Sequence, residues 1–110
     1  MTSRTAEIRL TVDLDTENVA TRIEWQAADT PHPSPATCQS MMLALWDSEK
    51  QTTAAIDLWT RDMTVEDMNA FVYQVLHKIA DTYLRATQNA SMSQSIRDFG
   101  NQFGDSLGLR

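Results

Sequence analysis

Strict alternation of apolar and polar residues near the N-terminus constrains the fold most. From Glu7 to Leu14 every second residue is apolar, and the alternation resumes from Val19 to Gln26 after a polar segment at 15–18. Because successive side chains of a β-strand point to opposite faces, each run is predicted to be a strand with one apolar and one solvated face. The short polar segment predicts that the two strands form a β-hairpin.

A proline-rich loop is predicted to end this hairpin. Residues 27–34 read AADTPHPS, and prolines stand at positions 31, 33 and 35. Proline lacks an amide donor and pushes the residue before it toward extended geometry. We therefore expect that the sheet does not continue through this segment.

The apolar run after the loop fits two structures. Ser34 and Pro35 are typical of an N-cap and a first helical residue, and the apolar positions that follow favour a helix over residues 35–48. The alternative makes Met41 to Asp47 a strand that turns through residues 48–52 into the next strand. Six consecutive apolar residues, Met41 to Trp46, suit either structure. The helix is our prediction, and the strand stays open as the alternative.

The remaining elements follow from local signals. Residues 53–60, TAAIDLWT, predict a strand. Thr64 and Asp67 form a capping-box pattern that opens an amphipathic helix of about six turns. After a break at residues 87–89, Ser91 is the predicted N-cap of a final helix.

The order of these elements predicts an α+β fold. We expect one domain over residues 1–110, with flexible ends at 1–5 and 108–110. Its small antiparallel sheet has three strands, or four in the alternative above, and packs against a C-terminal αα-hairpin in the order ββαβαα.

The charge and the cysteine content of the chain limit which partners and which cellular compartment we expect. The chain has 15 acidic and nine basic residues, and the basic residues are scattered, so we expect no nucleic-acid partner. Cys38 is the single cysteine, and the longest apolar run is too short to span a bilayer. We expect a soluble, cytoplasmic protein without membrane insertion.

No residue pattern predicts an enzyme, a metal or a cofactor. Cys38 would need a histidine base, and the chain offers only His32 in the loop and His77 on the long helix. Tyr73 and Asp81 lie one turn from His77, which also fits a surface histidine held by its neighbours. An enzyme that uses Asp57 and His77 as its catalytic pair is a further hypothesis.

The acidic segment around the first turn resembles a calcium loop only superficially. Asp13, Asp15 and Glu17 alternate, but Asn18 stands where such a loop needs glycine. Strand alternation continues on both sides, so a solvated hairpin turn is favoured. The three glycines lie in the last eleven residues, which excludes a glycine-rich phosphate loop.

The sequence from residue 56 to 87, IDLWTRDMTVEDMNAFVYQVLHKIADTYLRAT, resembles the gliding motility-associated GldC family of gliding bacteria. The run MMLALWD at 41–47 and the hairpin end Ile23-Glu24-Trp25 fall in the same order. The resemblance implies a small soluble protein that supports gliding from the cytoplasmic side, alongside membrane-anchored motility proteins. It implies no reaction and supplies no catalytic or binding residues.

The leading hypothesis is a non-enzymatic accessory or adaptor protein. Core packing is the favoured interpretation of the three tryptophans, and the alternative is that those beside carboxylates act as interface anchors. The predicted interaction surface consists of Trp46, Asp57, Trp59, Asp62 and Met63. The candidate partner is a membrane-anchored gliding motility protein, and an exposed strand edge also allows a homodimer.

A small-ligand or lipid-binding domain is the alternative function. It would hold an apolar cavity between sheet and helices, lined by Trp25, Met41, Met42 and Phe71.

Overall fold

A computed structural model describes residues 3–28, 30–31 and 34–110, which form two compact units, residues 1–63 and 64–110. The first unit contains β1 (Ile8–Leu14), β2 (Ala20–Ala27), β3 (Ala36–Cys38), β4 (Ser40–Asp47) and β5 (Thr52–Trp59). The second contains α1 (Val65–Thr87) and α2 (Ala90–Ser106). Strands precede helices, so the predicted α+β class is confirmed. His32 and Pro33 of the predicted loop lie outside the described residues.

The N-terminal hairpin is confirmed. β1 and β2 pair antiparallel, with Leu10 opposite Trp25 and Val12 opposite Ile23. Cross-strand partners share a face, so the apolar residues of both strands lie together. Ile23 is fully buried, and it also pairs with Cys38 of β3. The sheet order is β1-β2-β3.

The predicted helix at residues 35–48 is wrong, and the strand alternative is correct. Residues 36–38 and 40–47 are the strands β3 and β4, and β4 pairs with β5 along all eight residues. Among the described residues, the order ββαβαα is therefore replaced by five strands and two helices, with the strands in two sheets. The physical reason is that an apolar run has no intrinsic period, so pairing with β5 decides its structure.

The two-stranded sheet is an antiparallel ribbon closed by a tight turn. Asp47 Oδ1 accepts hydrogen bonds from the backbone N–H groups of Glu49 (3.0 Å) and Lys50 (3.1 Å). Gln51 completes the turn in the left-handed region, with φ of 55°. The Asp47 carboxylate thus replaces backbone partners that a turn leaves unpaired.

Both predicted helices are confirmed in the second unit, and the predicted N-cap of α2 is wrong. Thr64 caps α1, since its Oγ1 accepts a hydrogen bond from the Asp67 N–H at 3.0 Å. The cap of α2 is Asn89 and not the predicted Ser91: Asn89 Oδ1 accepts from the Met92 N–H at 3.0 Å. Ser91 donates its hydroxyl to the same oxygen at 3.1 Å.

The buried positions of α2 are small residues, which lie against α1. Ser93 Oγ donates to the buried Ala80 carbonyl oxygen at 2.8 Å. Gly100 and Gly104 are buried, and without side chains they let α2 approach α1 closely. Phe99 of α2 stays 57% exposed.

Candidate functional site

Three of the predicted interaction residues share one face of the β4–β5 ribbon. Trp59 pairs with Ser40, Asp57 with Met42, and Trp46 with Thr53. Residues opposite each other, and residues two apart on one strand, point to the same side. We call this side the tryptophan face; it is formed by Ser40, Met42, Ala44, Trp46, Thr53, Ala55, Asp57 and Trp59.

The tryptophan face is exposed. Trp46 is 62% exposed, Trp59 57% and Met42 55%. The two tryptophans stand at opposite ends of the ribbon: Trp59 is level with Ser40, six residues from Trp46, or about 20 Å at the rise of a strand. Within one chain they are therefore two separate anchors on a common face.

Asp62 and Met63 follow the ribbon instead of lying on it. Asp62 Oδ1 accepts a hydrogen bond from Oγ1 of the buried Thr60 at 2.7 Å. The Met63 N–H donates to the Thr60 carbonyl oxygen at 3.1 Å, and the side chain is half-buried. These bonds form a tight turn directly after Trp59, so the Asp62 carboxylate is held near the end of β5.

An open cleft of about 420 Å³ adjoins the same end of the ribbon. The β1–β2 turn supplies one wall and β5 the other, including Asp57 and Trp59 of the predicted surface. The lining residues are Leu14, Asn18, Val19, Ala20, Asp57, Leu58 and Trp59. The lining of the cleft is mostly apolar and includes one acidic residue, Asp57.

Asp15 and Arg61 tie the two walls of this cleft together. The Arg61 guanidinium forms an ion pair with the Asp15 carboxylate, and the Arg61 N–H donates to the Ala20 carbonyl oxygen at 3.0 Å. This pair was not predicted from the sequence, because 46 positions separate the two residues and no local pattern links them. The only signal was that Asp15 begins a polar turn.

The environment of Asp15 stabilises its charged form. The backbone N–H groups of Val19 (3.0 Å) and Glu17 (2.8 Å) donate to Asp15 Oδ1. The Val19 amide contributes most to lowering the pKa of Asp15; the Glu17 amide and Arg61 add to this effect, while partial burial opposes it. The carboxylate thus serves as a structural acceptor in the turn.

His77 belongs to a polar cluster between α1 and α2. Its ring meets the Tyr73 ring edge-on with centroids 5.0 Å apart. Asp81 does not bond to His77; it pairs with Arg97 of α2, and Arg97 Nη1 lies 3.1 Å from His77 Nδ1. His77 Nε2 is buried without a hydrogen-bond partner. The expected Tyr73–His77–Asp81 row is therefore bridged by an arginine that sequence spacing did not predict.

The residues proposed to line a ligand cavity are not all brought together. Met41 and Met42 were adjacent on one stripe in the helical prediction, but as neighbours in a strand they point to opposite faces of the ribbon. Asp57 and His77 lie in different units.

The part of the chain that the structure describes supplies two further observations. No three His, Cys, Asp or Glu side chains in it are close enough to hold a metal ion. None of its helices combines the length and apolar character needed to cross a bilayer.

Together these features define a class: a two-unit α+β protein with an exposed, tryptophan-bearing β-ribbon and a closely packed helix pair. A sequence model of the family described as gliding motility-associated protein GldC-like matches residues 20–109. The chain belongs to this family, and the resemblance seen in its sequence is confirmed. The family connects the chain with gliding motility. No curated protein and no solved structure gives a match.

Proposed function

We propose that this protein is a non-enzymatic, cytoplasmic accessory protein of bacterial gliding motility that binds another protein through its tryptophan face. The observation that carries the proposal is the placement of Trp46, Asp57 and Trp59 on one side of the ribbon. Both tryptophans expose more than half of their surface. Tryptophan is enriched among the residues that dominate binding energy at protein interfaces.

The charges around Trp59 suggest the chemistry of the partner. Asp57 lies beside Trp59 on the same face, and Asp62 follows in the turn held by Thr60. A partner that places an apolar side chain on the indole and a Lys or Arg beside it would complement this end of the ribbon. The cytoplasmic part of a membrane-anchored gliding motility protein is the proposed partner.

The non-enzymatic role is supported by the sequence. It contains no glycine-rich phosphate loop, and its single cysteine has no recognisable histidine base. In the structure, Cys38 pairs with Ile23 inside the three-stranded sheet, as a small apolar residue would.

Affinity capture from native lysate tests the proposal. The intact chain is compared with a Trp59→Ala, Asp62→Ala double variant, and Phe99→Ala serves as a control because Phe99 is as exposed as Trp59, at 57%. We expect a membrane-anchored motility protein on the intact chain and the control, and its loss from the double variant, with all three folded by circular dichroism. Equal retention by all three chains would exclude the tryptophan face as the binding surface.

Small-ligand binding is a second candidate, favoured by the cleft next to Trp59. Its volume of about 420 Å³ is in the range of ligand pockets, and Leu14, Val19 and Leu58 provide apolar walls. Native mass spectrometry of protein purified from its own cells would reveal a retained small molecule. If Leu58→Lys, which places a charge in the cleft, does not alter such a species, the cleft is not its site.

A further inference from the structure

The outer edge of β4 lacks the features that keep edge strands from pairing. β4 is at the edge of a two-stranded sheet, with β5 as its strand neighbour among the described residues. No Asp, Glu, Lys or Arg occurs from residue 30 to residue 46. By contrast, the edge strand β1 carries Arg9 and Asp13. Natural proteins block open edges with charges, proline or bulges, so an edge that carries no charge from Ser40 to Trp46, with Asp47 only at its end, indicates a strand-pairing surface.

Both faces of the ribbon are also apolar. Met42 and Trp46 project from the tryptophan face, while Leu45 and Ile56 project from the opposite face and are 57% and 53% exposed. A two-stranded sheet by itself is marginally stable in water, and further strands or packing against a helix are needed for independent stability. A partner that adds strands would therefore stabilise the ribbon.

We propose that this partner is a second copy of the chain, paired antiparallel through β4 about a two-fold axis at Leu43. The residues of β4 are self-complementary in this register. On the tryptophan face, large Met42 meets small Ala44 and large Trp46 meets small Ser40 of the second copy. On the other face, Met41 meets Leu45, and Leu43 meets its own counterpart. This register brings no two charged residues opposite each other. An unrelated strand would show the same pairing of large with small residues only by chance.

The resulting sheet has four strands in the order β5-β4-β4-β5 and joins the two tryptophan faces. Across the strands of this sheet, Trp46 of the first copy lies opposite Ser40 of the second copy, and that Ser40 lies opposite Trp59 of its own chain. Two strand spacings separate those tryptophans, about 10 Å in place of about 20 Å within one chain. The dimer thus builds two composite anchors, each with one tryptophan from each copy. That these anchors bind a protein partner rests on the proposed function, whereas the dimer itself does not.

Light scattering on the purified full chain tests the dimer without any gliding partner. We expect twice the chain mass of 12.4 kDa for the intact protein and for Ala55→Lys, and a single chain mass for Ala44→Lys. Ala44 and Ala55 are exposed cross-strand partners on the tryptophan face, so the two lysines differ only in the strand that carries them. A monomeric intact chain, or a dimer that is broken by Ala55→Lys and not by Ala44→Lys, overturns the proposal.

Oxidative cross-linking tests the register. In a Cys38→Ser background, Leu43→Cys places two thiols across the two-fold axis, within the Cα spacing that a disulfide accepts. We expect a covalent dimer on a non-reducing gel, and none from Ala54→Cys, which lies on the same side of the ribbon but in β5. Cross-linking through Ala54→Cys alone would contradict pairing through β4. Because capture of a motility protein is measured separately, a dimer that captures none refutes only the proposed function.

Discussion

The ring of Tyr73 occupies the space that a side chain at position 104 would need. A Cβ atom on Gly104 would lie 2.5 Å from Cε1 and 2.9 Å from Cδ1 of Tyr73. Gly100, one turn earlier, faces His77 less tightly, with 3.2 Å from such a Cβ to Nε2. The helix pair is therefore held close by two glycines of unequal importance.

Gly104→Ala is expected to destabilise the protein, by roughly 1–3 kcal/mol, because overpacking outweighs the gain in helix propensity of about 1 kcal/mol. Gly100→Ala should be close to neutral, since a small shift relieves its contact and the same propensity gain applies. Urea unfolding followed by circular dichroism at 222 nm measures both. Equal stabilisation by the two alanines would show that Tyr73 does not restrict position 104.

The cap of α2 provides a second prediction. Asn89→Ala should lower stability by about 1 kcal/mol, because the Met92 N–H loses its acceptor at the helix terminus. Ser91→Ala is the matched control: Ser91 lies within the first turn and only donates to Asn89. Thermal unfolding compares the two variants. A larger loss for Ser91→Ala would instead support the cap expected from sequence.

The pH dependence of stability should reveal the contribution of the Asp15 carboxylate to folding. Its pKa in the folded protein lies below the ordinary value of 3.8, so folding favours the charged carboxylate. This contribution is fully present above 3.8 and is lost as the pH falls through the lower folded-state pKa. We compare urea midpoints of the intact chain and Asp15→Asn between pH 7 and pH 2.5, and expect the difference to shrink toward low pH.

A difference that stayed constant with pH would mean that the carboxylate charge at Asp15 is not what stabilises the turn. Glu17→Gln serves as the control. Glu17 is a neighbouring carboxylate whose nearest cation, Arg61, is 3.9 Å away. Exposed ion pairs at such distances contribute little, so its stability difference should be small at every pH.

His77 should adopt one tautomer when its ring is neutral. An arginine has only donors, so Nδ1 must accept the hydrogen bond from Arg97 and the proton must reside on Nε2. Nitrogen-15 NMR of the imidazole should show a protonated Nε2 and an unprotonated Nδ1. In Arg97→Met this preference should weaken. A protonated Nδ1 in the intact protein would contradict the contact.

Local patterns were sufficient for the elements whose period is unambiguous. Alternation from residue 7 to 26 predicted the first hairpin, and the 3.6-residue period after Thr64 predicted α1, since backbone geometry alone sets these spacings. The GldC resemblance was likewise readable from the sequence. Trp46, Asp57 and Trp59 were predicted from the sequence as surface residues, but the helix assigned to residues 35–48 could not have placed Trp46 on one sheet face with the other two.

Tertiary structure decided whatever depended on distant partners. The run from Met41 to Trp46 is a strand because β5 pairs with it, and that pairing puts the three predicted residues on one face. Asp15 meets Arg61 across 46 positions, and Arg97 enters between His77 and Asp81 from the other helix. The period of a segment predicts which of its faces is apolar. It does not predict which side chains from distant segments come into contact, because those contacts form only when the chain folds.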